Sequence, residues 1–459
     1  MGPYMPSHGI SFGPDLEKTH AGVAQLVRAP DCGLIGAYTV PCAGLHEENV
    51  LSPMKHLPAV FISFAVVAVF RITTPISRIM TDGSEYLKVA VAGLDPAAHL
   101  GAPFVYRFAV PMFVHGLYRV SGTTPEVIFP VVVFIASGML LLATYFLALS
   151  AGVSKGKALL IMGFIASSVF AVRFPLYCPF DVDIEAVLLS FIVFALLVRR
   201  SYAGSLAVSL VGLLFKEFFL APLAVLAWNF LTQYVRQRTL GPLRWLTLTV
   251  VMTVVVFFAP RLMIPVSTAY GAIIQVRSPE PSQTMYLSEL RTFLAWPPQI
   301  GTPVNLLLAI LSFWLPVLML MTRDRCRVLW NRLGENRTIV LCWMLTVSVL
   351  MSVGGTKLPV FATYTAPLFV LIVGMLAREG VSVQEMLIVL VATALFNRTL
   401  IVFGTPGGDP GELIYFYGAY WHELSEVTLV RYAEMAGWVG LAWAGRWTVS
   451  RSKTRNAVQ

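Results

Sequence analysis

The chain has 459 residues, of which 57% are apolar and only 12% are charged, with a formal net charge of +9. A mean hydropathy of +0.74 excludes a soluble globular domain. Repeated apolar runs of roughly 17–25 residues, long enough to cross about 30 Å of hydrocarbon as helix, predict an all-α polytopic membrane protein. The basic residues cluster in short loops between these runs, so the charge indicates membrane topology and not nucleic-acid binding.

Residues 1–53 form a leader that has no periodic pattern and lacks the features of a signal peptide. Its segment GVAQLVRAPDC resembles the in-frame translation of a transfer-RNA gene, whose D-arm consensus encodes Val-Ala-Gln-Leu-Val-Arg-Ala, as at residues 23–29. We therefore expect translation to begin at Met54, where a basic start precedes an apolar span. The alternative is that the leader is a disordered cytoplasmic tail.

From Met54 onward, twelve apolar stretches predict twelve transmembrane helices. They lie near residues 57–73, 125–149, 158–173, 184–198, 203–215, 217–231, 245–263, 303–321, 338–353, 359–377, 384–403 and 431–449. The predicted membrane domain therefore covers residues 54–449, and residues 450–459 form a short basic cytoplasmic tail.

The basic loops agree on one orientation in the plasma (inner) membrane, with both termini in the cytoplasm. The stretch 203–231 decides this orientation, because reading it as one crossing places the arginine-rich loop 323–337 outside. We interpret it as a hairpin whose legs of about 14 residues are too short to span the bilayer alone. Lys216 and Glu217 at its tip then lie below the outer membrane surface, and loops 74–124, 174–183, 264–302 and 404–430 are external.

The first outer loop begins with TDGSEYLKVAVAGLDP, which places Asp82 and Glu85 close to the membrane surface. A carboxylate in that position can take a proton from a hydroxyl group. The alternatives are that Asp82 caps a helix and that Glu85 is merely solvated. The same loop contains FAVPMFVHGLY, whose apolar run is too short to span and suits a helix lying in the interface.

The TDGSEY segment after the first span, the PFVYRFAVP of the outer loop, the twelve spans and the GLLFKEFFLAP turn together resemble membrane glycosyltransferases of the GT-C superfamily. The resemblance implies a bacterial-type enzyme that takes a sugar from a polyprenyl-phosphate donor. Asp82 matches the catalytic acid of the family, and Lys216 with Glu217 occupy the turn that often borders the donor phosphate. Two departures, Glu85 three residues after Asp82 and the lack of a large C-terminal soluble domain, leave open the subfamily, the hexose or pentose, and the glycan, lipid or protein acceptor.

Physical reasoning adds to this resemblance. A lipid-phosphate donor needs an apolar groove for its tail, a cation for its phosphate and a carboxylate that deprotonates the acceptor. The predicted site therefore comprises catalytic Asp82 and Glu85 with substrate-binding Arg107, Lys216, Glu217, Lys357 and Arg398. Arg261, like Lys357 and Arg398, lies at the outer end of a span and is a functional candidate for that reason. Snorkelling to the interface is the alternative role for all three.

The segment FDVDIE at 180–185 contains an Asp-x-Asp, which makes it a candidate binding site for a divalent metal ion. The alternative is that these acids favour the N-terminus of the following helix. No other cofactor is expected.

Two other functional classes stay open. A multi-span transporter or lipid flippase also fits twelve spans with both ends inside, although no internal repeat is evident. A polymerase of lipid-linked oligosaccharides would share the lipid donor, but we would expect it to centre on a larger late outer loop than 404–430.

Overall fold

The computed structural model describes residues 53–76, 81–98, 100–101, 104–264, 301–334, 336–353, 358–400 and 426–456. Within these ranges the chain is helical and contains no β-strand, as the all-α prediction requires. The leader up to residue 52, Lys357 and most of the loops 264–302 and 404–430 lie outside the described residues.

The first half of the described chain contains ten α-helices. Their bounds are α1 (Leu57–Thr73), α2 (Thr81–Ala92), α3 (Ala109–Ser121), α4 (Pro125–Ser150), α5 (Lys155–Ser167), α6 (Phe174–Tyr177), α7 (Asp183–Val198), α8 (Tyr202–Leu213), α9 (Leu220–Gln237) and α10 (Leu240–Met263). Three short helical turns matter below: the π-helical turn Val169–Arg173 and the 3₁₀ turns Phe104–Tyr106 and Glu217–Phe219.

The second half of the described chain contains seven further helices. They are α11 (Gly301–Leu320), α12 (Arg323–Leu333), α13 (Asn336–Val353), α14 (Leu358–Ala362), α15 (Ala366–Arg378), α16 (Val383–Leu400) and α17 (Glu426–Asn456). The arginine-rich α12 is bent by 101° from α11, so it leaves the direction of the bundle.

Each predicted apolar stretch overlaps a helix, but 158–173 is divided between α5 and the π-helical turn, which are bent by 73°, and 359–377 is divided between α14 and α15. Among the described residues, six helices are long and apolar enough to cross a membrane, or up to eight if each of two bent pairs counts as one crossing. The described part of the chain is therefore all-helical, and its apolar helices are those of a membrane-embedded protein. Two further apolar helices, Tyr202–Leu213 and Asn336–Met351, are too short to be counted among these crossings.

The predicted hairpin is present, but its two legs differ. The first leg, α8, has 12 residues. The second runs without interruption from Glu217 to Gln237, 21 residues, and is long enough to span. The prediction of two equally short legs was wrong for the second leg, because the helix continues past the apolar run through TQYVRQ. The reversal is tight: a β-carbon on Gly212 would lie 2.1 Å from Cδ1 of Phe219, so only glycine fits there.

The candidate outer loop is folded. Its helices α2 and α3 pack against each other and against α4. Tyr86, Val114 and Phe129 lie in a buried cluster with Val182, which fixes the loop to the chain just before α7. The predicted short apolar helix of FAVPMFVHGLY is α3, in which Val110 and Val114 are buried and Phe113 is exposed.

Candidate functional site

A carboxylate at the hairpin turn pairs with two arginines. Nε of Arg107, from the first loop, donates to both oxygens of Glu217 at 2.9 and 3.2 Å. Nη2 of Arg261, at the end of α10, donates to Oε1 of Glu217 at 3.3 Å. The side chains of Arg107 and Arg261 are only 16% and 6% exposed. Because charge-assisted hydrogen bonds are strong in such surroundings, Glu217 holds two distant segments together.

Arg107 has a second partner and remains charged. Its Nη1 donates to the hydroxyl oxygen of Tyr86 at 3.2 Å, and its guanidinium lies 5.9 Å from the ring centre of Phe104. Burial alone would lower the pKa of Arg107, but Glu217 and Tyr86 oppose that effect and the pKa lies well above its ordinary value. Arg107 therefore presents a fixed positive charge.

The residue before Glu217 pairs with the start of α7. Nζ of Lys216 lies 2.9 Å from Oδ1 of Asp183, and both side chains are almost fully buried, at 2% and 5% exposed. The hydroxyl of Tyr364 donates to the same Oδ1 at 2.8 Å. A lysine buried in this way needs a carboxylate partner, so the pair fixes the tip of the hairpin.

Aromatic side chains surround this ion pair. The ring of Phe218 stacks on Tyr364 with centroids 4.4 Å apart, and it also contacts Phe361 at 4.8 Å. Nζ of Lys216 lies 6.0 Å from the centre of the Phe361 ring, at the limit of a cation–π contact. The surroundings of the ion pair are therefore largely apolar, and Lys216 and Asp183 remain paired within them.

The outer-loop segment and the turn are also joined by main chain. The backbone N–H of Ala109 donates to the carbonyl of Leu214 at 3.2 Å. Since Lys216 and Glu217 are consecutive, the two ion clusters adjoin. The structure thus brings together Arg107, Lys216 and Glu217 of the predicted site.

The predicted catalytic acid lies on a helix that touches this region. The backbone of Asp82 belongs to α2, one turn before Tyr86. The structure does not describe its side chain. The next residue, Gly83, packs closely against Phe180. A β-carbon at position 83 would lie only 2.9 Å from Cβ of Phe180. The start of α2 is therefore held against the segment that leads to Asp183.

Glu85 is buried and partnered. Its Oε1 accepts from Nζ of Lys88 at 2.6 Å, and its Oε2 accepts from the backbone N–H of Gly101 at 3.0 Å. The solvated alternative is therefore wrong for this residue. The contacts close the loop between α2 and Gly101, and its predicted catalytic role stays a prediction.

Arg398 is the predicted site residue that the structure leaves exposed, near the end of α16. It lies near Arg173, the last residue of the π-helical turn. Nε of Arg173 donates to Oγ1 of Thr74 at 3.2 Å. Arg398 is therefore not among the residues joined at the hairpin turn.

The acids of 180–185 lie at the beginning of α7. Asp181 is buried and its Oδ1 accepts from the N–H of Val182 at 2.9 Å. Both carboxyl oxygens of Glu185 are buried without a hydrogen-bond partner in the described part of the chain. The described ranges contain no group of three or more His, Cys, Asp or Glu side chains able to hold a metal ion.

Two members of the cluster, Tyr86 and Tyr364, were not singled out in the sequence, whereas Arg261 and Asp183 were noted outside the predicted site. Arg261 had a visible signal, since an arginine interrupts the end of an apolar run. Asp183 was noted as a candidate metal ligand or an acid at a helix N-terminus; here it begins α7 and pairs with Lys216. Tyr364 gave no signal, because one tyrosine in an apolar stretch commonly marks an interface.

Comparison with known proteins finds no matching family model, no matching curated protein and no matching solved structure.

Proposed function

We propose that the chain is a membrane glycosyltransferase that moves a hexosyl or pentosyl group from a polyprenyl-phosphate donor to an acceptor at the outer face of the plasma membrane. In this proposal the chain crosses the membrane twelve times, adopts a GT-C-like arrangement and belongs to the cell envelope. The acceptor is a glycan, a lipid or a protein.

One observation carries the proposal. Arg107 from the first loop pairs with Glu217 of the hairpin turn, 110 residues away, and this pair adjoins the buried pair of Lys216 and Asp183. Buried charge is costly inside a membrane protein and is retained where function needs it. Arg107 also donates to Tyr86 on α2, the helix that contains Asp82.

The reaction assigns each group one role. The hydroxyl oxygen of the acceptor forms a bond to the anomeric carbon of the donor sugar, and the bond from that carbon to the phosphate oxygen breaks. The hydroxyl proton goes to the Asp82 carboxylate, and polyprenyl phosphate leaves with the bonding electron pair. Lys216 and Arg107 supply positive charge toward the phosphate as its charge increases.

A transporter remains the second candidate, and Glu185 is the observation that favours it. Its carboxyl oxygens are buried near the start of α7 without a hydrogen-bond partner among the described residues. An ionisable side chain in such a position is typical of proton or ion pathways. A carrier that binds and releases a proton at Glu185 would need no chemistry at Asp82.

The experiment measures sugar transfer by the purified full-length protein in nanodiscs, supplied with polyprenyl-phosphate sugars. The variant is Asp82→Asn, which keeps the shape and removes the base. The matched control is Asp95→Asn in the same loop, because Asp95 is exposed and its Oδ1 only accepts from the N–H of Ala97. General-base catalysis contributes about 10²–10⁴-fold, so transfer should fall by that order in Asp82→Asn alone.

Full activity of Asp82→Asn would exclude it as the base. The carrier assignment would replace the enzyme assignment if wild-type protein in liposomes showed proton-coupled transport without forming a glycosylated product. That transport should be lost in Glu185→Gln.

A further inference from the structure

A groove that shares no residue with the candidate site runs along the C-terminal helix. It has a volume of about 880 Å³ and is lined by α11, α16 and α17 through apolar side chains that include Leu308, Phe396, Val439 and Trp443. Its lining on α17 extends from Tyr432 to Trp447, about 22 Å of helix. The volume lies within the usual 300–1,000 Å³ of small-molecule sites, and the lining suits a hydrocarbon chain.

The groove ends beside a surplus positive charge. Arg446 follows Val439 by seven residues and Met435 by eleven, so it lies on the same face of α17 as these two lining residues. Its side chain is 12% exposed, and its Nε has no hydrogen-bond partner in the described ranges. A guanidinium that is nearly buried and incompletely bonded is suited to an anionic ligand.

The nearest carboxylate is already used by other groups. Oε1 of Glu385 accepts from Nη2 of Arg325 at 3.0 Å, and its Oε2 accepts from the N–H and hydroxyl of Ser382 at 2.9 and 3.1 Å. Nε of Arg446 lies 4.0 Å from Oε1, which is too long for a hydrogen bond. Two arginines therefore share one negative charge, and the cluster of Arg325, Glu385 and Arg446 has a net charge of +1.

This cluster and the candidate site lie at opposite ends of α15. Tyr364, the partner of Asp183, precedes α15, and Glu379, which pairs with Arg332 of α12 at 3.1 Å, follows it. The helix between them is about 20 Å long. The cluster thus lies at the arginine-rich end of the bundle, which the positive-inside rule assigns to the cytoplasm.

We propose that the groove binds one anionic phospholipid, with an acyl chain against α16 and α17 and its phosphate on Arg446. Basic pockets between membrane helices at the cytoplasmic surface, where anionic lipids are enriched, are suited to lipid headgroups. This inference is independent of the sugar-transfer proposal, since it concerns the other end of the bundle.

Native mass spectrometry of the delipidated full-length protein tests the headgroup contact. The probes are phosphatidylglycerol and phosphatidylcholine, titrated separately. Wild-type protein should retain one phosphatidylglycerol in preference to phosphatidylcholine. Arg446→Gln should weaken phosphatidylglycerol binding about fivefold, because one cation contributes about that factor near a lipid phosphate, and Arg446→Lys should restore it. The control Arg332→Gln removes an exposed arginine and should change nothing.

A second pair of variants tests the groove itself. A β-carbon on Gly440 meets no atom within 4 Å, so Gly440→Leu should fold and fill the groove, lowering the retention of both lipids. Gly437 has equal space but does not line the groove, so Gly437→Leu should bind as wild type. Leucine also favours helix over glycine at both positions.

Four results would overturn the proposal. The first is that Arg446→Gln prefers phosphatidylglycerol as strongly as wild-type protein does. The second is that Gly440→Leu retains as much lipid as wild-type protein. The third is a wild-type dimer that Gly440→Leu converts to a monomer without loss of lipid, which would assign the groove to a second copy of the chain. Displacement of phosphatidylglycerol by an equal concentration of polyprenyl phosphate would instead assign it to the donor and also overturn the proposal.

Discussion

Lys216 and Asp183 form a buried ion pair, with Nζ 2.9 Å from Oδ1, that joins the turn of a helical hairpin to the start of α7. Each partner is costly to bury alone, so the pair acts as a unit. The same carboxylate oxygen accepts from Tyr364, which adds α15 and its preceding turn to the arrangement. Three parts of the bundle thus depend on one carboxylate.

The ion pair predicts a non-additive stability change. Lys216→Met should leave Asp183 uncompensated and destabilise the protein by roughly 3–5 kcal/mol. Adding Asp183→Asn removes the isolated charge and keeps an oxygen acceptor for Tyr364, so the double variant should recover part of that loss. Thermal unfolding in one detergent measures the three proteins. A double variant less stable than Lys216→Met would contradict the prediction.

Substitutions of Lys216 and of Asp82 should change different kinetic parameters. Lys216→Ala should raise KM for the lipid donor, because it removes a cation that acts on ground and transition states together, whereas Asp82→Asn should lower kcat. Steady-state transfer assays on monodisperse protein separate the two effects. Lys216→Arg serves as the control that keeps the charge. Equal losses of kcat with unchanged KM in both variants would exclude the assigned donor contact.

The membrane orientation is testable with two cysteines. Cys326 is exposed on the arginine-rich α12 and should be protected from an impermeant thiol reagent in intact cells. A cysteine at Gly408, in the predicted outer loop 404–430, should react. Each is measured in a background without the other cysteines, with lysed cells as the control for reactivity. Reversed labelling would place Asp82 in the cytoplasm and favour nucleotide-sugar chemistry.

Gly212 should tolerate no side chain. A β-carbon there would lie 2.1 Å from the ring of Phe219, so Gly212→Ala must move the hairpin turn and should cost about 1–3 kcal/mol. Gly116→Ala on α3 meets no atom within 4 Å and should be neutral or slightly stabilising. Thermal unfolding compares them. Equal stability of the two variants would show that the turn relaxes freely.

The start site has a direct measurement. If the leader is a translated transfer-RNA segment, intact-mass analysis of the protein from its native host should give an N-terminus at or near Met54. Recovery of a peptide from GVAQLVRAPDC would contradict this expectation, and the leader would then be a genuine tail.

The positions of helices could be read from the sequence more reliably than their ends. Each apolar run predicted a helix, because hydropathy reports burial in lipid directly. The helix α9 extended past its apolar run to Gln237, since polar helix formers can continue a helix beyond the hydrocarbon. Charged residues inside apolar runs, such as Lys216 and Glu217, were visible for the same reason.

The partners of those charges could not be read from the sequence. Arg107 and Glu217 are 110 residues apart, and Tyr364 and Asp183 are 181 apart. Periodicity assigns a residue to a face of its own helix but gives no distance to another helix. Asp183 was therefore interpreted through its local Asp-x-Asp spacing, whereas its partner lies on another element.

Gly83 lies so close to Phe180 that there is no room for a methyl group between α2 and the segment before α7. Adding that methyl group would place two carbon atoms 2.9 Å apart, so α2 must shift away from the segment before α7. Gly83→Ala changes no charge and removes no hydrogen-bonding side chain, yet it displaces the backbone of Asp82 relative to Lys216. Gly83→Ala thus changes the position of Asp82 and leaves its carboxylate chemically unchanged. If transfer depends on sub-ångström alignment, this single carbon should reduce the rate while the ionic network stays intact.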